Sequence, residues 1–402
     1  MNVSNPSTDR VVVVGAGPAG MATAIELAQR GVPSVVLEKR GAVATREPLF
    51  NVVPALADRL AALDPDGSLT RLLVPTDAMH GVDKASGARR SRTFDGPLAP
   101  DPTRSRGDME SLLRGSGSPE ATDADRRRWS MVGIGDLENG LRELARTKHA
   151  DLIELRTDAG VESIRQGDGF AEAVLAPTTD GAVRDAVRGA FLIDASGRDL
   201  LGGPRTTYPE QGWWLGTRLQ APADGAHATL KLRDRTVSPQ HSTIKLPSAD
   251  RTIVWTQVDR PPTEIPPDEA RSILQERARD VGIDSQLPQD APIMPVTVQL
   301  WTSDEPARGR VLKVGDSVRA PYFMTSTGAA TALVHDVPRA VDAIMAVRDG
   351  ADLSTTVGGY ADAVRSANEA LVAQVRPTLL GDLGIRPGDA GAPIASDQPP
   401  AG

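Results

Sequence analysis

The chain has 402 residues, 45 Lys and Arg against 53 Asp and Glu, a formal net charge of −8 and no cysteine. That length predicts two or three packed units, and the acidic balance argues against nucleic-acid binding, which normally needs a strongly basic face. Without Cys there is no disulfide framework, thiolate nucleophile, iron–sulfur cluster or cysteinyl flavin link, and the expected compartment is the cytosol.

Four consecutive valines, Val11 to Val14, read as a fully buried strand. Residues 18–30 carry apolar side chains at helical spacing up to Gly31, a natural helix stop. Val35, Val36 and Leu37 form a second buried strand ending at Glu38, a βαβ opening that demands a parallel sheet. Residues 83–128 turn polar and read as a variable insertion holding at most a short hairpin near Ser91–Phe94. A helix follows at 136–147, with Leu137, Leu141 and Leu144 on one face, then strand-like runs near 153–157, 171–176 and 189–194.

Alternating runs at 213–220, 228–234, 242–247 and 252–258 predict one antiparallel sheet. A helix at 268–281 and strands at 296–301 and 310–314 come next. The remainder reads as helical, 328–348 with a kink at Pro338 and then 356–375. The Pro-, Gly- and Ala-rich tail from Pro387 is expected to be disordered. The apolar run after Arg10 mimics a signal peptide, but Gly and Pro interrupt it, and no stretch has the unbroken apolar length of a membrane span.

Gly15-Ala16-Gly17-Pro18-Ala19-Gly20 is a GxGxxG motif between a buried strand and a helix. Gly15 allows the tight turn, Gly17 lets a pyrophosphate approach the backbone, and Gly20 lets helix and strand pack closely. Exposed N–H groups and the dipole at the helix N-terminus attract the anion. Glu38 lies 18 residues after Gly20, where a carboxylate accepts ribose hydroxyls and repels a 2′-phosphate. The site therefore predicts FAD or NAD as the dinucleotide.

Residues 310–336, RVLKVGDSVRAPYFMTSTGAATALVHD, carry a strand ending in Gly-Asp, a loop with Pro321, and Gly328 opening a helix. This resembles the second fingerprint of FAD-dependent enzymes. With GxGxxG at the other end and a sheet between them, the chain is similar to the class A flavoprotein monooxygenases, the para-hydroxybenzoate hydroxylase-like family. The resemblance spans about residues 10–375.

It implies an α/β fold, a Rossmann-type FAD-binding domain with a parallel sheet plus an antiparallel-sheet substrate domain. Residues 8–82, 129–205 and 305–350 would form the discontinuous FAD-binding domain and 206–304 the substrate domain. The insertion at 83–128, a C-terminal helical segment at 351–386 and a tail at 387–402 complete the division. The cofactor-binding set is then Gly15, Gly17, Pro18, Ala19, Gly20, Glu38, Lys39, Arg46, Asp316, Gly328, Ala329 and Ala330. Asp316 would hold the ribityl chain. The helix opening at Gly328, with Ser326 and Thr327 as candidate caps, would face the N1–C2=O edge of the flavin, where reduced flavin carries negative charge. Phe191 to Arg198 resembles the family's middle Asp-Gly element, in the Asp194-Ala195-Ser196-Gly197 form more usual in halogenase and reductase members.

The sequence departs from the family at three places. Ser317, Val318 and Arg319 replace Ala-Ala-His after Gly-Asp. Ala330 stands where Asn is usual, and Ile134 where an Arg usually reaches the cofactor. The halogenase Trp-x-Trp-x-Ile-Pro box has no match at Trp213-Trp214.

The resemblance implies an FAD-dependent monooxygenase that is reduced by NAD(P)H and inserts one oxygen atom from O2 into a small organic molecule through a C4a-hydroperoxide. The Ala- and Arg-rich, Lys-poor composition points to a GC-rich bacterial source, where the family often tailors secondary metabolites. A dehydrogenase, reductase or halogenase of the same fold, and a non-redox flavin-binding protein, are the alternatives. No side chain is assigned a catalytic role, because the chemistry is centred on the flavin. Trp214, Trp255, Trp301, Tyr322 and Phe323 are candidate pocket residues, with plain core packing weighed ahead of that role for each. The five His show no metal-ligand spacing, and small molecules and O2 are the expected partners, not membranes or nucleic acid.

Overall fold

A computed structural model of the chain describes residues 9–76, 78–84, 86–93, 130–177, 186–220, 229–234, 241–247, 251–320, 322–323 and 327–396. Val11–Val14 pairs in parallel register with Ser34–Leu37 on one side and Phe191–Asp194 on the other. Ile153–Arg156 and Val311–Lys313 extend this sheet in parallel, and Ala307–Arg308 closes one edge antiparallel. The parallel strands thus end together, at Val14, Leu37, Asp194 and Lys313, each followed by one of the sequence motifs.

The valine run is buried because each face of its strand is covered. Val11 and Val13 pack toward helices α1 (Pro18–Gln29), α2 (Pro54–Leu63) and α3 (Ile134–Lys148) through Met21, Ile25, Leu56 and Leu141. Val12 and Val14 pack on Ala171, Ala173 and Val187 of a three-stranded antiparallel sheet. That sheet comprises Val161–Gly167, Phe170–Leu175 and Ala186–Gly189, of which the first and last were not anticipated.

The second half is built on a nine-stranded sheet. Its spine is Arg205–Gln220, paired antiparallel with Arg251–Val258 and Ile293–Ser303. His241–Pro247 and Thr229–Asp234 follow. One face packs Trp214, Trp255 and Leu300 against the long helix; the other packs Leu215 and Val254 against α4 (Pro267–Asp280).

Several expectations are corrected here. The sheet is not wholly antiparallel: Thr229–Asp234 pairs in parallel with Ala78–Asp83. That strand forms a hairpin with Arg89–Thr93, so residues assigned to the nucleotide domain and the insertion complete the other domain's sheet. Phe94 and residues 95–129 lie outside the described residues. The tail is ordered through Ser396, because Ile394–Ser396 adds a strand against Arg205–Thr207. Its last six positions lie outside the described residues.

Two short pieces, α5 (Thr327–Thr331) and α6 (Val337–Arg348), flank one π-helical turn at Ala332–Asp336. Pro338, lacking an N–H, sits just beyond that turn, where the wider ladder accommodates it. Helix α7 runs longer than expected, Leu353–Leu383, and carries Pro377 within it. Among the described residues no helix is long and apolar enough to cross a membrane.

Candidate active site

The carboxyl ends of the parallel strands open onto a cavity of about 510 Å³. This is the crevice where α/β sheets bind ligands. Gly15, Gly17, Pro18 and Ala19 line it beside Glu38, Lys39, Arg40 and Arg46. Gly315, Asp316, Gly328 and Ala329 form another part of the wall. The two fingerprints, 300 residues apart in the chain from Gly15 to Gly315, therefore face one space.

Gly15 has φ +103°, and a Cβ there would lie 2.5 Å from the Ala195 carbonyl oxygen. A Cβ on Gly20 would lie 1.9 Å from the Gly15 oxygen, so Gly20 sits beneath the turn and not in the cavity. A Cβ on Gly17 meets nothing nearer than 3.6 Å, which leaves the space a phosphate needs.

Glu38 is buried. One carboxylate oxygen accepts the Ala16 N–H at 2.8 Å, and the other accepts the Arg40 N–H at 2.9 Å and Arg40 Nε at 3.0 Å. Burial opposes its charge, but the bonds from Arg40 and Ala16 outweigh that and hold the carboxyl below the usual range. Lys39 is pushed down by burial and by the nearby cations Arg198 and Arg40.

The departures from the family pattern have partners. Ser317 Oγ accepts the Gly197 N–H at 2.9 Å and lies 3.1 Å from Asp194 Oδ1, tying the middle element to the Gly-Asp turn. Asp194 also accepts the N–H groups of Ser196 and Leu200, at 3.1 and 2.7 Å. Arg319 forms a buried two-point ion pair with Asp336 at 2.6 and 2.9 Å, and Asp336 accepts the Gly315 N–H at 3.2 Å. Arg319 thus does structural work in the wall behind the cavity. Asp316 presents surface to the cavity although protein surrounds it; burial raises its carboxyl despite Arg46 and Arg319 nearby.

The expected aromatics divide. Trp301 and Phe323 line the cavity, together with Phe50, Ile134 and Leu333. Trp214, Trp255 and Tyr322 are core instead, packed edge-on around Phe323 with ring centroids 5.0–6.0 Å from its own. Ala330 also turns into the core, 1 % exposed. Ser326 and Pro321 lie outside the described residues.

Sequence reasoning missed one end of the cavity altogether, formed by Ala159, Gly160, Val161 and Ala176 near Glu38. Small residues without a motif leave no sequence signal. It also missed Glu138, buried on α3 and ion-paired with Arg46 beside Gly17.

A family profile described as FAD binding domain matches residues 8–374. The chain belongs to the FAD binding domain family. It is an FAD-dependent oxidoreductase of the para-hydroxybenzoate hydroxylase-like type. Among curated proteins none matches this sequence.

Similar solved structures include p-nitrophenol 4-monooxygenase PnpA from Pseudomonas putida DLL-E4. It is 19% identical, with 93% of this chain and 88% of that one covered and a TM-score of 0.71. Aklavinone-11 hydroxylase, solved with FAD and aklavinone, is 19% identical over 93% of this chain and 70% of its own, TM-score 0.69. The flavin-dependent halogenase CmlS is 16% identical over 90% of this chain and 62% of its own, TM-score 0.67. At these identities the likeness is one of fold.

The residues of this family member fit FAD. The cavity is lined at one end by Glu38 and small apolar groups and at the other by aromatic side chains. Buried Arg46 Nε has no hydrogen-bond partner beside the Gly17 turn, which leaves a cationic donor for an anion there.

Proposed function

We propose that this oxidoreductase transfers one oxygen atom from O2 to a small organic molecule, drawing electrons from NAD(P)H. The observation that carries this reading is the single cavity joining the GxGxxG turn to Asp316 and to the apolar wall of Trp301, Phe323 and Phe50. Bound FAD supplies the electron transfer and oxygen activation. The chain supplies position and dryness.

In this reading Glu38 accepts the adenosine ribose hydroxyls, and the N–H groups after Gly15 and Gly17 receive the diphosphate. Asp316 holds the ribityl hydroxyls. Gly328 and Ala329 bring the start of the 327–348 helical run against the N1–C2=O edge of the ring, where N–H groups favour the negative charge of the reduced form. Trp301 and Phe323 exclude water from the space over the ring, which strengthens every electrostatic contact there.

The test is a substrate screen with the FAD-loaded chain. A true substrate accelerates NAD(P)H oxidation, consumes O2 and gains the mass of one oxygen atom. Halogenation is a second reading, favoured by the Asp194-Ala195-Ser196-Gly197 element and the fold likeness to CmlS. It would give a product bearing the isotope pattern of a halogen. A product differing only by hydrogen would sink both.

A further inference from the structure

One face of helix α3 is devoted to the loop that carries Arg46. Gly135, Glu138, Asn139 and Arg142 recur at the spacing that places side chains on a single helix face. The Gly135 N–H donates to the Arg46 carbonyl at 3.2 Å, and a Cβ at Gly135 would lie 2.6 Å from that oxygen. Asn139 bonds both ways with Ala44, accepting its N–H at 2.8 Å and donating to its carbonyl at 3.0 Å. Arg142 donates to the carbonyls of Gly41 and Ala42 at 3.2 and 2.8 Å, and to Ala16 at 3.4 Å.

Glu138 is the one charged acceptor on this face, and it is fully buried. Its Oε1 pairs with Arg46 Nη2 and lies 3.9 Å from Arg40 Nη2. Arg46 itself is 38% exposed and reaches the cavity from a loop. The pair sits over the turn that takes the diphosphate, within 3.6–3.8 Å of where a Gly17 Cβ would be. Arg46 Nε is buried without a partner, so the guanidinium has a donor left for an incoming oxygen. Lys39, Arg40 and Arg198 also line the cavity, but Arg46 is the cation within 3.8 Å of where a Gly17 Cβ would be.

We infer that Glu138 is the positioning residue for the FAD diphosphate: by holding one end of the Arg46 guanidinium, it aims the other donors at the phosphates over Gly17. A long arginine arm loses much rotamer freedom when it binds, and an arm already held loses less. Glu138 acts through Arg46 in this scheme: its Oε1 lies 3.6 Å from where a Gly17 Cβ would be, at the edge of the diphosphate's place, and the Arg46 guanidinium offsets its charge there.

The experiment titrates the FAD-stripped full-length chain with FAD, with ADP and with adenosine. Glu138→Ala is expected to weaken FAD and ADP about tenfold and leave adenosine unchanged, since an arginine–phosphate contact is lost. Glu138→Gln, which still accepts from Arg46, is expected to stay within about threefold of wild type. Glu138→Asp keeps the charge but shortens the arm, and carries the same expectation as Glu138→Ala should that variant fold poorly. In an Arg46→Ala background, Glu138→Ala is expected to do nothing further.

Tighter or unchanged FAD binding in both Glu138→Ala and Glu138→Asp would overturn the inference. So would an equal loss for adenosine, or a Glu138→Ala effect that persists in full without Arg46. The inference rests on FAD binding itself, which the wild-type titration tests separately.

Discussion

Gly15 and Gly17 sit two residues apart in one turn and answer to different demands. Gly15→Ala drives a Cβ to 2.5 Å from a carbonyl at φ +103°, so it is expected to cost at least about 2 kcal/mol of folding stability in urea unfolding. Gly17→Ala meets nothing within 3.6 Å; stability should hold to within about 0.5 kcal/mol while FAD affinity falls about a hundredfold, because the methyl occupies the phosphate's place. Fluorescence titration and urea unfolding on both variants separate the two roles. Asp316 shows the opposite trade. Surrounding protein holds its carboxyl above the ordinary value although its surface opens to the cavity, so the protonated form is slightly favoured in the fold and a small part of the stability is lost as pH rises through that raised value. Asp316→Asn is therefore expected to raise the melting temperature of the FAD-free chain at neutral pH and to weaken FAD. A melting temperature that falls would contradict it. At this scale the sequence was legible where function is local. Gly15 to Gly20 and Glu38 announce themselves by spacing, whereas Glu138 finds Arg46 across 92 positions, a pairing that no local pattern encodes.

Elements are anchored by buried charge as much as by apolar packing. Asp382, in the last turn of α7, is fully buried and takes Lys231 at 2.6 Å, Arg233 at 2.8 Å and the Tyr322 hydroxyl at 2.8 Å. It fastens the helix to the strand Thr229–Asp234 and to the loop that carries Phe323 into the cavity. Asp382→Ala would remove the acceptor of two partly exposed cations, at an expected cost of about 2–3 kcal/mol in urea unfolding, against about 1 kcal/mol for Tyr322→Phe. Arg319 and Asp336 do the same between the Gly-Asp turn and the π-helical turn. Burial opposes the Asp336 charge, yet Arg319 holds its carboxyl below the usual range. Its contribution is fully present above the unfolded value of about 3.9 and is lost as pH falls through the lower folded one. Wild type should accordingly exceed Asp336→Asn in stability by most at neutral pH, with the gap closing in acid unfolding. Element type was readable from composition for the valine strand and from apolar spacing for α3. The strand at Ile394–Ser396 was not, since a Pro- and Gly-rich tail becomes a strand only because the edge of Arg205–Thr207 is there to receive it.

At the scale of the molecule, the binding cleft belongs to both halves. Val14, Glu38 and Asp316 come from the ends of the parallel sheet, while Trp301 and Ala320 come from two neighbouring strands of the large sheet. A ligand long enough to span the cleft should protect both, and a fragment only its own end. Hydrogen exchange on the FAD-free chain checks this. ADP is expected to slow exchange at Gly15 to Met21, and riboflavin at Gly315 to Ser317 and around Trp301. FAD should slow both sets at one midpoint concentration, because one molecule bridges them. At a hundredfold excess over its Kd, binding adds about 2.7 kcal/mol to the folded state, which a thermal melt would register as a single raised transition. Two separate midpoints, or protection by FAD confined to the Gly15 end, would mean that the cleft holds a nucleotide without seating a flavin ring against Trp301 and Phe323.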